Sequence, residues 1–204
     1  MSSKLSKIAA KDAKIVSDEK LKISFEYISL GSEEFFFHGL EQEYYVKFFE
    51  CITQIKKSVE KDILEQTHPS LKPKSIFNKK GTKDEFPSSV INKVADKIFL
   101  ETRNRDEANS QAKSITTKRA FEVRVTRSYG RLHGFIWNNI FHVVWVDPAH
   151  NLYPLNKYGI RKQEDYATVK AFSGDEVVRL KDELKNLQEQ YDELFSEWAS
   201  SNGG

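Results

Sequence analysis

A single cysteine, Cys51, is all the thiol chemistry the chain carries. One thiol excludes an intrachain disulfide and a CxxC metal knuckle, and it suits a reducing compartment. Cys51 sits between Glu50 and Ile52 in an apolar helical pattern, which predicts a small buried side chain rather than a nucleophile. Long apolar runs are missing too. No stretch of about 18 apolar residues exists, and Met1 to Ala10 lacks the continuous apolar core of a signal peptide. The expectation is a cytoplasmic protein with neither membrane insertion nor export. Charge of one sign is equally scarce: 32 Lys and Arg against 30 Asp and Glu leave a formal net charge of +2. A nucleic-acid partner would therefore need local clustering of cations. No internal repeat is visible.

Aromatics are plentiful. The 204 residues include 14 Phe, 8 Tyr and 3 Trp within a 39% hydrophobic content, enough for one sizeable core. Residues 1–20 read as a charged arm. Leu21, Ile23, Phe25 and Tyr27 alternate with polar neighbours, the period-2 signature of a half-buried strand ending near Gly31. From Glu41 to about Leu64, Tyr44, Phe48, Ile52, Ile55, Val59 and Ile63 recur at steps of three and four and predict one long amphipathic helix. The loop that follows carries Lys72, Lys74, Lys79, Lys80 and Lys83. It reads as a solvated loop that could also touch phosphates. Pro87 and Ser88 open a second helical pattern through Val90, Ile91, Val94, Ile98 and Phe99. Residues 101–117, poor in large apolar groups, read as a mobile connector.

Three strands are expected next, Lys118 to Arg127, Arg131 to Trp137 and Ile140 to Val146, joined by two-residue turns at Tyr129-Gly130 and Asn138-Asn139. With those turns, Leu132 opposes Trp145, Gly134 opposes Val143, and Ile136 opposes Phe141, while Val125 and Val123 join the same apolar face opposite Gly134 and Ile136. The other face then collects Arg124, Thr126, Arg131, His133, Phe135, His142 and Val144. It reads either as a plain solvent face or as an anion or RNA surface, with Arg forks for phosphate, His for proton transfer and Phe135 for stacking. Asp147-Pro148 is a turn signal that would aim His150 and Tyr153 at the sheet rim, with a hydrogen bond expected from His150 to Asp147. The spacing of His133, His142 and Asp147 matches no metal motif, so neither a metal nor a cofactor is expected.

The residues Gly134-Phe135, Phe141, Val144-Trp145, Asp147-Pro148, His150 and Leu152-Tyr153-Pro154 carry a resemblance. Residues 130–154 resemble the closing block of an uncharacterised family of small prokaryotic proteins, which also begin with a Phe-rich strand like Ile23 to Leu30. The layout of a helical part followed by an antiparallel meander with Arg, His and Tyr is similar to that of RelE-like toxins. That analogy implies metal-independent RNA cleavage, with Arg124, Arg131 and His142 holding phosphate, Phe135 and Tyr153 contacting substrate, and His133 or His150 as general acid or base.

From Asp175 to Ala199, Val177, Leu180, Leu184, Leu187, Tyr191, Leu194 and Trp198 recur at steps of three and four, the a/d stripe of a coiled coil. The expected organisation is an α+β domain over residues 1–172, in which the 41–64 helix packs on an antiparallel meander, and a heptad-patterned helix over residues 173–204. Two functional expectations follow. One is an RNA-directed, toxin-like or phage-defence protein acting as a metal-independent ribonuclease, partnered by an antitoxin. The other is a non-catalytic interaction module that associates with itself or another protein through its last helix.

Overall fold

A computed structural model describes residues 18–154, 156–157, 159–165 and 174–202. Most of the expected arm lies outside them. Its elements are β1 (Lys22–Ser24), α1 (Gln42–Lys57), α2 (Glu60–Leu64), β2 (Lys74–Ser75), α3 (Ser88–Thr102), α4 (Arg105–Lys118), β3 (Ala120–Arg124), β4 (Arg131–Trp137), β5 (Ile140–Asp147), a 3-10 turn (Gln163–Asp165) and α5 (Gly174–Asn202). The chain divides into two compact units, Met1–Thr168 and Val169–Gly204. The first is an α+β domain on a sheet of order β1-β5-β4-β3-β2, antiparallel except for the parallel β1 and β5.

One sheet face packs on α1 and α2, as the periodicity predicts. Tyr44, Phe48, Cys51, Ile55 and Ile63 meet Phe121, Val123, Leu132, Ile136, Phe141 and Val143 in one core. The expected single helix is broken at Ser58, whose backbone turns extended and whose hydroxyl donates to the Ile55 carbonyl at 2.7 Å.

The opposite face is not a solvent face. A second helical layer covers it, joining Val90, Val94, Ile98, Ala108 and Ala112 of α3 and α4 to Ala120, Phe135, Val144 and Trp145 of the sheet. Residues 105–118, expected within a connector, form α4 instead. Its buried positions Ala108, Ala112 and Thr116 are spaced by four, so the helix offers a stripe of small residues and lies close to its neighbours without bulky apolar groups. The junction has its own local causes: Arg103 ends α3 in the left-handed region, and Asn104 caps α4 by accepting from the Glu107 amide at 3.2 Å.

The register departs from the expected one at two places. The Asn138-Asn139 turn holds, both residues having positive φ (51° and 57°), and Ile136 faces Phe141 and Gly134 faces Val143 as expected. Between His133 and Gly134 the pairing then slips, so that His133 faces Trp145 and Leu132 faces Val146. This bulge puts Val144 and Trp145, adjacent in sequence, into the same core, on the face of Phe135 and His133. The unpaired Val144 carbonyl accepts from the Ser29 amide at 2.8 Å. Gly134 is required beside the bulge, because a Cβ there would collide with the His142 carbonyl and the Phe141 ring. The second departure is the β3–β4 connection. Thr126 Oγ1 accepts from the Ser128 and Tyr129 amides, and the Val125 amide donates to the Gly130 carbonyl. The result is a longer loop than Tyr129-Gly130 alone, and Val123 faces Leu132 while Phe121 faces Gly134. The shift is an even number of residues, so each side chain keeps its face.

A testable consequence concerns α4. Ala112 is 0% exposed, so Ala112→Leu should overpack the α3–α4 layer and cost roughly 1–3 kcal/mol in urea unfolding. Ser110→Leu, on the exposed side, should change stability little. Equal, small effects at both positions would contradict a packed α4.

Candidate functional site

The bulge and the β3 register gather polar side chains at one end of the second sheet face. Arg124 pairs with Arg131 across β3 and β4, Arg131 with Asp147 across β4 and β5, and Glu122 with His133. Side-chain contacts then run diagonally. Arg131 Nε lies 3.5 Å from Glu122 Oε1, and His133 Nε2 lies 3.1 Å from Asp147 Oδ2. Burial pushes the Arg131 guanidinium below its usual range, the neighbouring Arg124 adds to this, and Glu122 and Asp147 oppose it. Arg124 and Arg131 are half-buried, whereas His133 and Asp147 are each 1% exposed.

Asp147 organises the turn that follows. Its Oδ1 accepts from the Asn151 amide at 2.6 Å and its Oδ2 from the Leu152 amide at 3.0 Å. Asn151 in turn donates from Nδ2 to the carbonyls of Glu34 and Arg161, at 2.8 and 2.7 Å, and its Oδ1 accepts from the Arg161 amide at 2.9 Å. The Arg161 guanidinium donates to the Ala149 carbonyl. Each carboxylate oxygen is thus spoken for inside the chain. The expected hydrogen bond from His150 to Asp147 is absent, since His133 and two amides take the carboxylate, and His150 is half-buried with φ at 61°. Its imidazole is pushed below the usual histidine range by burial first and then by Arg131, with Arg161 acting the same way and Asp147 and Glu122 opposing.

The remaining expected residues lie elsewhere. Phe135 is 0% exposed and His142 4% exposed, so neither is a stacking or phosphate surface. Their rings stack on each other at 5.0 Å, with the Tyr27 ring 5.1 Å from His142. Burial pushes the His142 imidazole down to about 4, which keeps it neutral. Tyr153 is half-buried; its hydroxyl accepts from the Phe77 amide at 3.0 Å, and Lys79 Nζ lies 4.0 Å above its ring. Arg124, Arg131, His133 and His150 therefore meet at one end of the sheet, and Phe135 and His142 belong to the core. Sequence reasoning missed Glu122, Asn151 and Arg161. The Asp147-Asn151 spacing after a strand was a signal for Asn151; for Glu122 the corrected β3 register was needed.

Chemically the cluster closes the Asp147–Leu152 turn. A general acid or base must reach its substrate, and the His133–Asp147 pair is sealed by the Phe35 and Trp145 rings at 6.2 and 6.4 Å. A hollow of about 760 Å³ lies elsewhere, between α1 and residues Ser70, Leu71, Arg124 and Val125. It contains Cys51, whose buried thiol is pushed up to about 12 by desolvation and is a poor nucleophile. Among the described residues no group of three or more His, Cys, Asp and Glu could hold a metal ion, and no helix is long and apolar enough to cross a membrane. No protein-family model, curated protein or solved structure matches the chain.

The second unit presents a different kind of surface. On α5, Leu180, Leu184, Leu187, Tyr191, Leu194 and Trp198 are all exposed, from 41% at Leu180 to 69% at Leu184, and Val178 and Phe195 are exposed beside them. Val177 of the stripe lies among residues whose side chains are not described. Ion pairs from Arg179 to Glu183 and from Lys185 to Glu189, both at 3.8 Å, support the helix along its surface. Tyr191 and Phe195 stack at 6.3 Å, and Phe195 and Trp198 lie 6.0 Å apart, giving the stripe an aromatic end.

Two outcomes follow for the domain. Asp147→Ala would strand His133 and two buried amides, and should cost about 3–5 kcal/mol in urea unfolding; a cost under about 1 kcal/mol would contradict the turn-closing role. His142 has a lower proton affinity folded than unfolded, so its contribution is fully present above pH of about 6.5 and is lost as pH falls toward about 4. His142→Phe should remove up to about 3 kcal/mol of that acid-side slope. A variant whose stability falls between pH 7 and 4 as steeply as that of the unaltered chain would refute it.

Proposed function

We propose that the chain is a non-catalytic association module, an α+β domain that carries a helix for pairing with another helix. The observation that supports this reading is the exposed apolar stripe of α5. A helix of 29 residues is about 43 Å long at 1.5 Å per residue, and its a/d positions form a band larger than a soluble surface usually leaves uncovered. Most helical stability comes from packing an amphipathic face, so such a stripe calls for a partner surface. A 3.5-residue repeat makes a narrow seam suited to another helix.

The RNA-directed reading draws less support. It required His133, Phe135 and His142 on an accessible face, and all three are interior. Arg124 and Arg131 are half-buried, with Arg131 turned to Glu122, which leaves little free positive charge for a phosphate at that end of the sheet.

The test is the full chain carrying Leu184→Glu together with Leu187→Glu. If α5 is an association element, urea unfolding of the α+β domain, followed at low concentration by near-ultraviolet circular dichroism, should shift by less than about 1 kcal/mol. A loss of roughly 2–5 kcal/mol would mean that the stripe is part of the chain's own core, and would overturn the reading.

A further inference from the structure

Resting on that reading, we infer that the partner of α5 is a second copy of this chain, and that the two helices pair parallel and in register as a two-stranded coiled coil. The heptad frame puts Val177, Leu184, Tyr191 and Trp198 at a, and Leu180, Leu187 and Leu194 at d. Leucine at all three d positions, with Val177, Leu184, Tyr191 and Trp198 at a, makes a continuous seam of large apolar side chains for a second helix.

The flanking positions decide between partners and directions. In a parallel, in-register pair the g residue of one helix meets the following e residue of the other, which sets Glu176 beside Lys181, Glu183 beside Gln188 and Gln190 beside Phe195. One contact attracts and the others are neutral. Phe195 at e adds apolar area next to Tyr191 and Trp198, closing the aromatic end of the seam. An antiparallel pair overlapping the whole stripe would set Leu184 against Leu194 and bring Glu183 beside Glu197 of the other helix at both ends of the seam. Like charges so placed are unfavourable. A helix built only for an unlike partner would gain specificity from flanks of one sign that repel a twin. The flanks here carry Lys181 as well as Glu176, Glu183 and Glu197, and in the parallel register a second copy fits them without any repelling pair.

Crosslinking has a clean background, because Cys51 is 3% exposed and its thiol is pushed up to about 12. The experiment uses the full chain. Sedimentation equilibrium should show a dimer at micromolar concentration, and Leu187→Glu should raise its dissociation constant about tenfold or more. Under mild oxidation, the Leu180→Cys variant and the Leu194→Cys variant should each form its own disulfide-linked dimer, since equivalent d residues face one another in a parallel pair. A monomer at every concentration, a larger assembly, or a dimer that crosslinks only when the two variants are mixed, or not at all, overturns the inference. The reading beneath it is judged separately, by whether Leu184→Glu with Leu187→Glu leaves the domain's stability intact; a monomer whose domain is indifferent to those changes points to an unlike partner.

Discussion

One extra residue in β5 sets the architecture. A ladder without a bulge would alternate faces strictly, and Trp145 would lie with Phe141 and Val143 under α1. The slip between His133 and Gly134 turns Trp145 to the other face, where it stacks on Phe35 at 4.4 Å and touches Phe77 and Phe86. That face becomes apolar enough to need its own cover. The α3–α4 pair supplies it, and the sheet ends as the middle layer of a helix, sheet and helix arrangement. Aromatic side chains bury large areas each, so moving one indole across the sheet redistributes much of the core's hydrophobic stabilisation.

The same slip explains the chemistry at the end of the sheet. It brings Asp147 diagonal to His133, so a carboxylate that would otherwise emerge at the rim is drawn inside. There it accepts from an imidazole and two amides. Buried charge is tolerated only when its lone pairs are satisfied, and those three donors satisfy it at the cost of any open coordination for a substrate. Arg131 answers Glu122 in the same way. The proposed function therefore rests on α5, whose apolar positions are exposed.

Much of this was legible from residue types alone. The α1 face, the α3 pattern, the Asn138-Asn139 turn and the heptads of α5 follow from periodicity and turn chemistry, because each is a local property. What was not legible depends on partners distant in sequence. The bulge leaves a glycine as its trace, and Gly134 can be read equally well as an ordinary strand residue until the His142 carbonyl is seen beside it. The small residues Ala108, Ala112 and Thr116 hide α4, since a helix that packs closely through small side chains has a weak apolar signature. His133, Phe135 and His142 looked like an accessible surface because nothing in the meander itself reveals a second helical layer. The Asp147 turn was read correctly as a turn but with the wrong donor, His150 in place of His133, since the diagonal contact exists only after the slip.

Native-state hydrogen exchange across the domain tests the two-layer account most directly. The amides of β4 and β5 and those of Arg105–Lys118 should be among the slowest to exchange, because both sheet faces are covered and α4 is one of the covers. Exchange of the Arg105–Lys118 amides at the rate of an unstructured chain, with His133 and His142 opening to solvent alongside them, would contradict it.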